Sequence, residues 1–256
     1  MSVRQGCTVK FGHGSSAVEV NIPDLASLFR AVREKFLRGD GFALATLNLD
    51  HLTKLPVDPA FARAYKAQDL VVADGQPIIW MSKLAKQPLE LMAGSDLVIP
   101  LSLLATEMAM PVALVGSSDA ALAGAKAALE QRVPGINIVL THAPAYAFDP
   151  SGAAAAQICE MLNASGARLC FIALGAPKQE LFAAFARTRS PAVGFASIGA
   201  GLDFLSGHQV RAPMIMRKLA LEWLWRALQS PRRMVPRYAK CFAILPRLML
   251  DAWRQR

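Results

Sequence analysis

Short apolar runs alternate with helical patterns from residue 17 to residue 201, and nearly every run ends in a small or polar residue. Phe42 to Thr46, Leu70 to Ala73, Pro111 to Val115, Asn137 to Leu140, Arg168 to Leu174 and Val193 to Ile198 have the length and composition of buried strands. Between them the sequence predicts helices. Asp24 caps one that Gly39-Asp40-Gly41 ends; others cover Pro59 to Lys66, Ile78 to Lys86, Gly94 to about Met108, and Ala153 to Asn163, with two more ending near Arg132 and Arg187. Ala17 to Ile22 reads as an edge strand. The alternation predicts an α/β chain: a Rossmann-like, three-layer domain with a mainly parallel sheet.

In an open parallel sheet the carboxyl ends of the strands converge on one crevice, and ligands bind there. Here those ends carry Thr46 and Asn48, Asp74-Gly75, Gly116-Ser117, Gly175 with Gln179, and Gly199-Ala200-Gly201. Glycines let a ligand approach the backbone, and helix N-termini favour phosphates. Five such ends point to a nucleotide or sugar-nucleotide site. Asp74 follows a buried run and faces a helix opened by Pro77. On its own it fits either a turn cap or a carboxylate that meets a ligand.

The chain is 54% hydrophobic, with a mean hydropathy of +0.31. Strands buried on both faces, or a surface that meets lipid, account for such a value. No apolar run approaches the ~18 residues of a spanning helix. Residues 1–14 lack the apolar core of a signal peptide, so a cytoplasmic protein is expected. Cys7, Cys159, Cys170 and Cys241 have no metal or redox spacing and read as reduced thiols. The net charge of +9 lies wholly in residues 211–256, where 11 Lys+Arg face only Glu222 and Asp251. This shift divides the chain into an α/β domain, 1–210, and a basic helical C-terminal appendage, 211–256. Residues 213–229 have an apolar helix pattern, and a second segment begins at Ser230-Pro231, with Pro236 and Pro246 expected to kink or divide it. On a helical wheel Arg237, Lys240, Arg247 and Arg254 share one face, largely opposite Tyr238, Phe242, Leu245, Met249 and Trp253. That is the pattern of a helix lying in a membrane surface; a helix packed on its own domain with solvated arginines is the other reading.

The order of these pieces resembles the WecG/TagA/CpsF family of bacterial glycosyltransferases. The matching stretches are Thr46-Leu47-Asn48 to His51-Leu52, Val72-Ala73-Asp74-Gly75-Gln76-Pro77, Gly94-Ser95-Asp96-Leu97, Gly175-Ala176-Pro177-Lys178-Gln179-Glu180 and Gly199-Ala200-Gly201 to Asp203-Phe204. Arg211-Ala212-Pro213, Glu222-Trp223-Leu224 and Pro231-Arg232 complete the set. The resemblance implies an inverting transferase that moves a sugar from a UDP-sugar to a polyprenyl-diphosphate-linked saccharide, in cell-surface or exopolysaccharide biosynthesis. It implies Asp74 as general base, with Thr46, Asn48 and Gln179 in the donor and acceptor sites, to which the strand-end glycines Gly75, Gly116 and Gly175 are added as candidates from their own positions. It also implies a C-terminal appendage that anchors the enzyme peripherally at the cytoplasmic face of the membrane and brings arginines to the site. Arg211, Arg217, Arg226 and Arg232 are the candidates.

The residues agree with that chemistry. Inversion is a single displacement, so one carboxylate must take the proton of the acceptor hydroxyl. No Asp-x-Asp occurs in the chain, so no metal or other cofactor is expected, and arginines and helix N-termini must neutralise the UDP leaving group. Two positions depart from the family pattern. Leu91 stands where an arginine is usual, and Leu47 where proline is frequent. The expected partners are the UDP-sugar, the lipid-linked saccharide and an anionic membrane surface, with no nucleic acid; a homo-oligomer stays open. Two rival readings differ in class. A dinucleotide oxidoreductase would need a third glycine after Gly199-Ala200-Gly201, where Leu202-Asp203-Phe204 stands instead. A non-enzymatic adaptor binding RNA or lipid through its basic tail would leave the strand-end polar residues unexplained.

Overall fold

The computed structural model describes residues 9–12, 14–213, 215–216 and 221–255. Six parallel strands form the sheet: β3 (Phe42–Leu47), β4 (Leu70–Ala73), β5 (Val112–Gly116), β6 (Ile138–His142), β7 (Leu169–Ala173) and β8 (Gly194–Ser197). Their order is β4-β3-β8-β7-β5-β6. The helices are α1 (Leu25–Arg38), α2 (Leu49–Lys54), α3 (Pro59–Lys66), α4 (Gln76–Leu84), α5 (Gly94–Glu107), α6 (Asp119–Arg132), α7 (Ala153–Ser165), α8 (Lys178–Arg189), α9 (Gly201–Leu205), α10 (Glu222–Gln229) and α11 (Pro231–Arg254).

Alternation along the central strands builds the cores on the two faces of the sheet. Phe42 and Leu44 of β3, Leu70 and Val72 of β4, and Leu169 and Phe171 of β7 pack with Leu28, Val32, Leu101 and Leu122, from α1, α5 and α6. Their neighbours in sequence point the other way. Ala45, Leu47, Val71 and Ala73 pack on Phe61, Tyr65 and Ile78, and Cys170 and Ile172 pack on Ile158 and Phe182. Side chains of opposite parity on one strand therefore fill opposite layers, which gives the three-layer α/β architecture expected from the sequence. Removing the fully buried Phe171 ring would cost about 3–5 kcal/mol.

Three expectations need correction. Val18–Val20 (β2) is a strand, but it pairs antiparallel with Val9–Phe11 (β1) in a separate two-stranded sheet. The edge strands of the large sheet are β6 and, nearest this ribbon, β4; the backbone at β4 is partly covered. Its backbone is met by Asn21, whose side chain accepts from Val71 N at 2.8 Å and donates to Asp69 O at 2.9 Å, and by Ile22 N, which donates to Val71 O. A side-chain amide here stands in for a further strand and covers part of an edge that would otherwise be free. Second, a helix that the sequence did not lead us to expect, α2, starts directly after β3, where Asn48 caps it. Third, Pro236 and Pro246 do not divide the last segment, which is one helix of 24 residues. Both prolines are on its exposed side, where water can serve the carbonyls that lose a partner.

Helix α11 packs across α2 and α4. Its buried stripe, Cys241, Leu248 and Ala252, belongs to the same core as Leu52, Ile78 and Met81. Tyr238, Leu245 and Met249 are half-buried, whereas Phe242 and Trp253 remain exposed, so the apolar face read from the wheel is split between body and solvent. Among the described residues no helix is long and apolar enough to cross a membrane.

Candidate active site

Asp74 ends β4, and its backbone N–H donates to Leu47 O at 2.7 Å, which ties it to the end of β3. Gly75 then turns at φ +89°, and a Cβ there would meet nothing closer than Pro77 Cδ at 3.8 Å. This conformation favours glycine and turns the chain sharply into α4. Asn48, at the end of β3, accepts from His51 N at 3.1 Å with Oδ1. Its amide nitrogen is then the group left to donate to the Asp74 carboxylate.

Burial pushes the Asp74 carboxyl up to about 6; Arg226 and the Asn48 hydrogen bond pull it down, and the Glu222 and Asp96 charges push it up. The result is a carboxylate ionised at neutral pH but basic enough to take a proton.

Arginines from the C-terminal segment close this end of the sheet. Arg211 forms a two-pronged ion pair with Asp96 in the first turn of α5, with Nη2 2.7 Å from Oδ2. Arg226 of α10 pairs with Glu222 at 2.5 Å and lies 5.5 Å from the centre of the Phe204 ring, with Arg211 at 6.0 Å from the same ring. Asp74, Asn48, Asp96, Arg211 and Arg226 thus come together from four separate parts of the chain. Leu91, in place of the family's usual arginine, is exposed. Arg232 is exposed on the first turn of α11, and Arg217 lies outside the described residues.

The remaining candidates divide by role. Thr46 is buried in β3, in register with Val72. Gly175 has φ +70° with open space where a Cβ would be. Gly116 differs: a Cβ would lie 2.5 Å from the backbone of Ala173, so glycine is needed there for β5 to approach β7. Gln179 is buried, and its amide is engaged at both ends. Oε1 accepts from Gly199 N at 3.0 Å and Nε2 donates to Glu180 Oε1 at 2.8 Å, so it ties the first turn of α8 to the loop after β8.

Beneath the crevice is a buried ionisable layer. Glu180 is fully buried, and burial raises its carboxyl to about 7. His51 Nε2 is 4.0 Å from Glu180 Oε1, and His51 Nδ1 is 3.2 Å from the Tyr65 hydroxyl. Burial lowers His51 to about 3, so it is a neutral support for α2. Two pairings had no sequence signature because the partners are far apart in the chain: Asp50 with Arg237, and Ser117 with Asp203. Arg237, read from the wheel as part of the basic face, is turned to the body instead. Among the described residues no group of three or more His, Cys, Asp or Glu side chains is placed to hold a metal.

A sequence profile described as the glycosyl transferase WecG/TagA/CpsF family matches residues 16–256, nearly the whole chain. The chain belongs to the WecG/TagA/CpsF family of glycosyltransferases.

Proposed function

We propose that this glycosyltransferase moves a sugar from a UDP-sugar to a polyprenyl-diphosphate-linked saccharide, with inversion, in the building of a cell-surface or secreted polysaccharide. The observation that carries the reading is the place of Asp74 directly after β4, tied by its N–H to Leu47 O beside Asn48, at the end of the sheet where Asp96 and Arg211 pair and where Arg226 faces its carboxylate. In the proposed step Asp74 takes the proton of the acceptor hydroxyl. The hydroxyl oxygen forms a bond to the anomeric carbon from the face opposite UDP, and the bond from that carbon to the diphosphate oxygen breaks, leaving its electron pair on UDP. Arg211 and Arg226, which pair with Asp96 and Glu222 at this end of the sheet, are the cations that would turn to the departing diphosphate and offset its charge. Thr46, Gly75 and Gly175 line the donor and acceptor sites, while Gln179 shapes them by holding the Gly199 loop.

The acceptor's lipid lies in a membrane, so the crevice has to be held there. Exposed Val235, Phe242, Leu250 and Trp253 occupy one flank of α11, beside exposed Lys240, Arg247 and Arg254. This supports peripheral docking of residues 211–256 on an anionic membrane, at the cytoplasmic face. The test is a screen of UDP-sugars for UDP release with a short-chain lipid diphosphate saccharide as acceptor. Release that depends on one UDP-sugar and on the acceptor, and that survives EDTA, is expected. Failure of every UDP-sugar, or a strict need for Mg²⁺ or Mn²⁺, counts against the reading.

A further inference from the structure

Helix α2 begins at Asn48, has only six residues and cannot be stable alone. Three neighbours hold it. From α3, Phe61 and Tyr65 pack edge-on to the His51 ring, at 5.8 and 5.6 Å between ring centres. From the loop after β7, Ala176 O accepts from Lys54 Nζ at 3.2 Å. From the C-terminal helix α11, Arg237 Nε sits 2.8 Å from Asp50 Oδ1.

Asp50 is two residues from Asn48 and only 7% exposed. Burial works against its charge, but the hydrogen bond from Lys54 and the charges of Arg237 and Lys54 outweigh burial and keep the carboxyl below the ordinary range. Lys54 Nζ, 2.7 Å from Asp50 Oδ2, also serves Ala176 O, so Arg237 is the charge that Asp50 does not share with that loop. Arg237 therefore has work facing the body, while Lys240, Arg247 and Arg254 face solvent.

We infer that Arg237 is a positioning residue for sugar transfer: through its ion pair with Asp50, the C-terminal helix fixes α2 and so holds the Asn48 amide against Asp74. This rests on Asp74 acting as the base, as proposed above. It makes the C-terminal helix part of the catalytic frame by a route separate from lipid binding. Removing Arg237 leaves the buried Asp50 carboxylate with Lys54 alone, which is also engaged by Ala176 O, and unties α2 from the C-terminal helix. The strain would fall on the short helix that carries Asp50.

The experiment compares full-length wild type with Arg237→Met, Arg237→Lys and Asp50→Asn. Three readouts are used: hydrogen exchange of the His51 amide, which donates to Asn48 Oδ1; kcat and its pH profile at saturating substrates; and sedimentation with phosphatidylglycerol vesicles. Arg237→Met is expected to speed His51 exchange at least tenfold and to lower kcat at least tenfold. It should also move the acid limb of kcat to higher pH, because Asp74 loses a hydrogen bond that lowers its pKa. Arg226, Arg211, Glu222, Asp96 and the Tyr65 hydroxyl also face Asp74, and this substitution leaves them in place. Vesicle binding should stay within twofold. Arg237→Lys should restore exchange and kcat to within threefold. Asp50→Asn breaks the pair without stranding a buried charge, so it reads the same effects, at about threefold, if Arg237→Met does not fold. Wild-type exchange, or faster exchange with wild-type kcat and acid limb, overturns the inference, as does a loss of kcat matched by an equal loss of vesicle binding. If the wild type transfers no sugar, the exchange arm still reports on the clamp, so that failure is distinct from failure of the proposed function.

Discussion

Asn48 and Asp74 sit at the ends of adjacent parallel strands, and the cap that Asn48 makes to its own helix decides which atom it offers to Asp74. Because Oδ1 accepts from His51 N at 3.1 Å, the NH2 group is the one that meets the carboxylate. Aspartate caps a helix as well as asparagine does but has no N–H to give, and it adds a like charge. Asn48→Asp should therefore keep the helix cap while raising the pKa of Asp74. A pH series of kcat is expected to show the acid limb move from about pH 6 to higher pH by roughly one unit or more. An unmoved limb would mean that Asn48 does not serve Asp74.

Glu180 gives a prediction about stability. Its folded pKa, about 7, lies above its ordinary 4.5. Between those values the folded protein holds a proton that the unfolded chain has released, so stability falls as pH rises through this window. Glu180→Gln removes the titration and keeps an oxygen to accept from Gln179. The melting temperature of the variant relative to wild type should be more favourable at pH 8 than at pH 4.5. An equal difference at both pH values would show that Glu180 does not titrate upward on folding.

Much of this frame is legible in the sequence. The six parallel strands lie within one or two residues of their expected bounds, because runs such as Leu70–Ala73 are apolar throughout and end in Asp-Gly. Asp74 and Asn48 come to one end of the sheet because strand ends in a parallel sheet share an edge, and Arg211 reaches the same end from the C-terminal segment through its ion pair with Asp96. Helix α2 was not legible, since six residues carry no periodicity and the cap is the only mark of its start. Nor was the inward turn of Arg237. A helical wheel sorts residues by angle, but it does not reveal that the buried stripe runs through Met234, Cys241 and Leu248, which brings Arg237 to the edge of the contact with α2. Gly116 has a reason to be glycine that is separate from its expected place at the site. A glycine after a strand signals ligand approach and strand approach alike, and here the neighbouring strand occupies the space.

That reading of Gly116 is testable. A Cβ at φ +114° would stand 2.5 Å from the Ala173 carbonyl group, which belongs to backbone and cannot swing aside. Gly116→Ala should destabilise the protein by about 3 kcal/mol, from overpacking plus backbone strain. Chemical denaturation checks this, and a loss below about 1 kcal/mol would place the need for glycine elsewhere.

On the membrane side, the split face of α11 makes deletion of the segment a blunt tool, because Cys241, Leu248 and Ala252 would leave the core with it. Val235→Ser with Leu250→Ser changes exposed positions on the same flank and leaves the Phe242 ring on Trp223. The pair should weaken binding to anionic vesicles at least tenfold with little change in melting temperature. Added salt should weaken the wild type too, since basic residues near such a surface contribute about 1 kcal/mol each. Unchanged vesicle binding would remove this flank from the docking surface.

The central claim is that Asp74 takes the proton from the acceptor, and the most direct measurement is single-turnover transfer by Asp74→Asn at saturating donor and acceptor across pH 5 to 9. The account predicts unchanged donor binding, a rate lower by roughly two to four powers of ten, and loss of the acid limb near pH 6. Wild-type turnover, or an acid limb that persists in the variant, would contradict it.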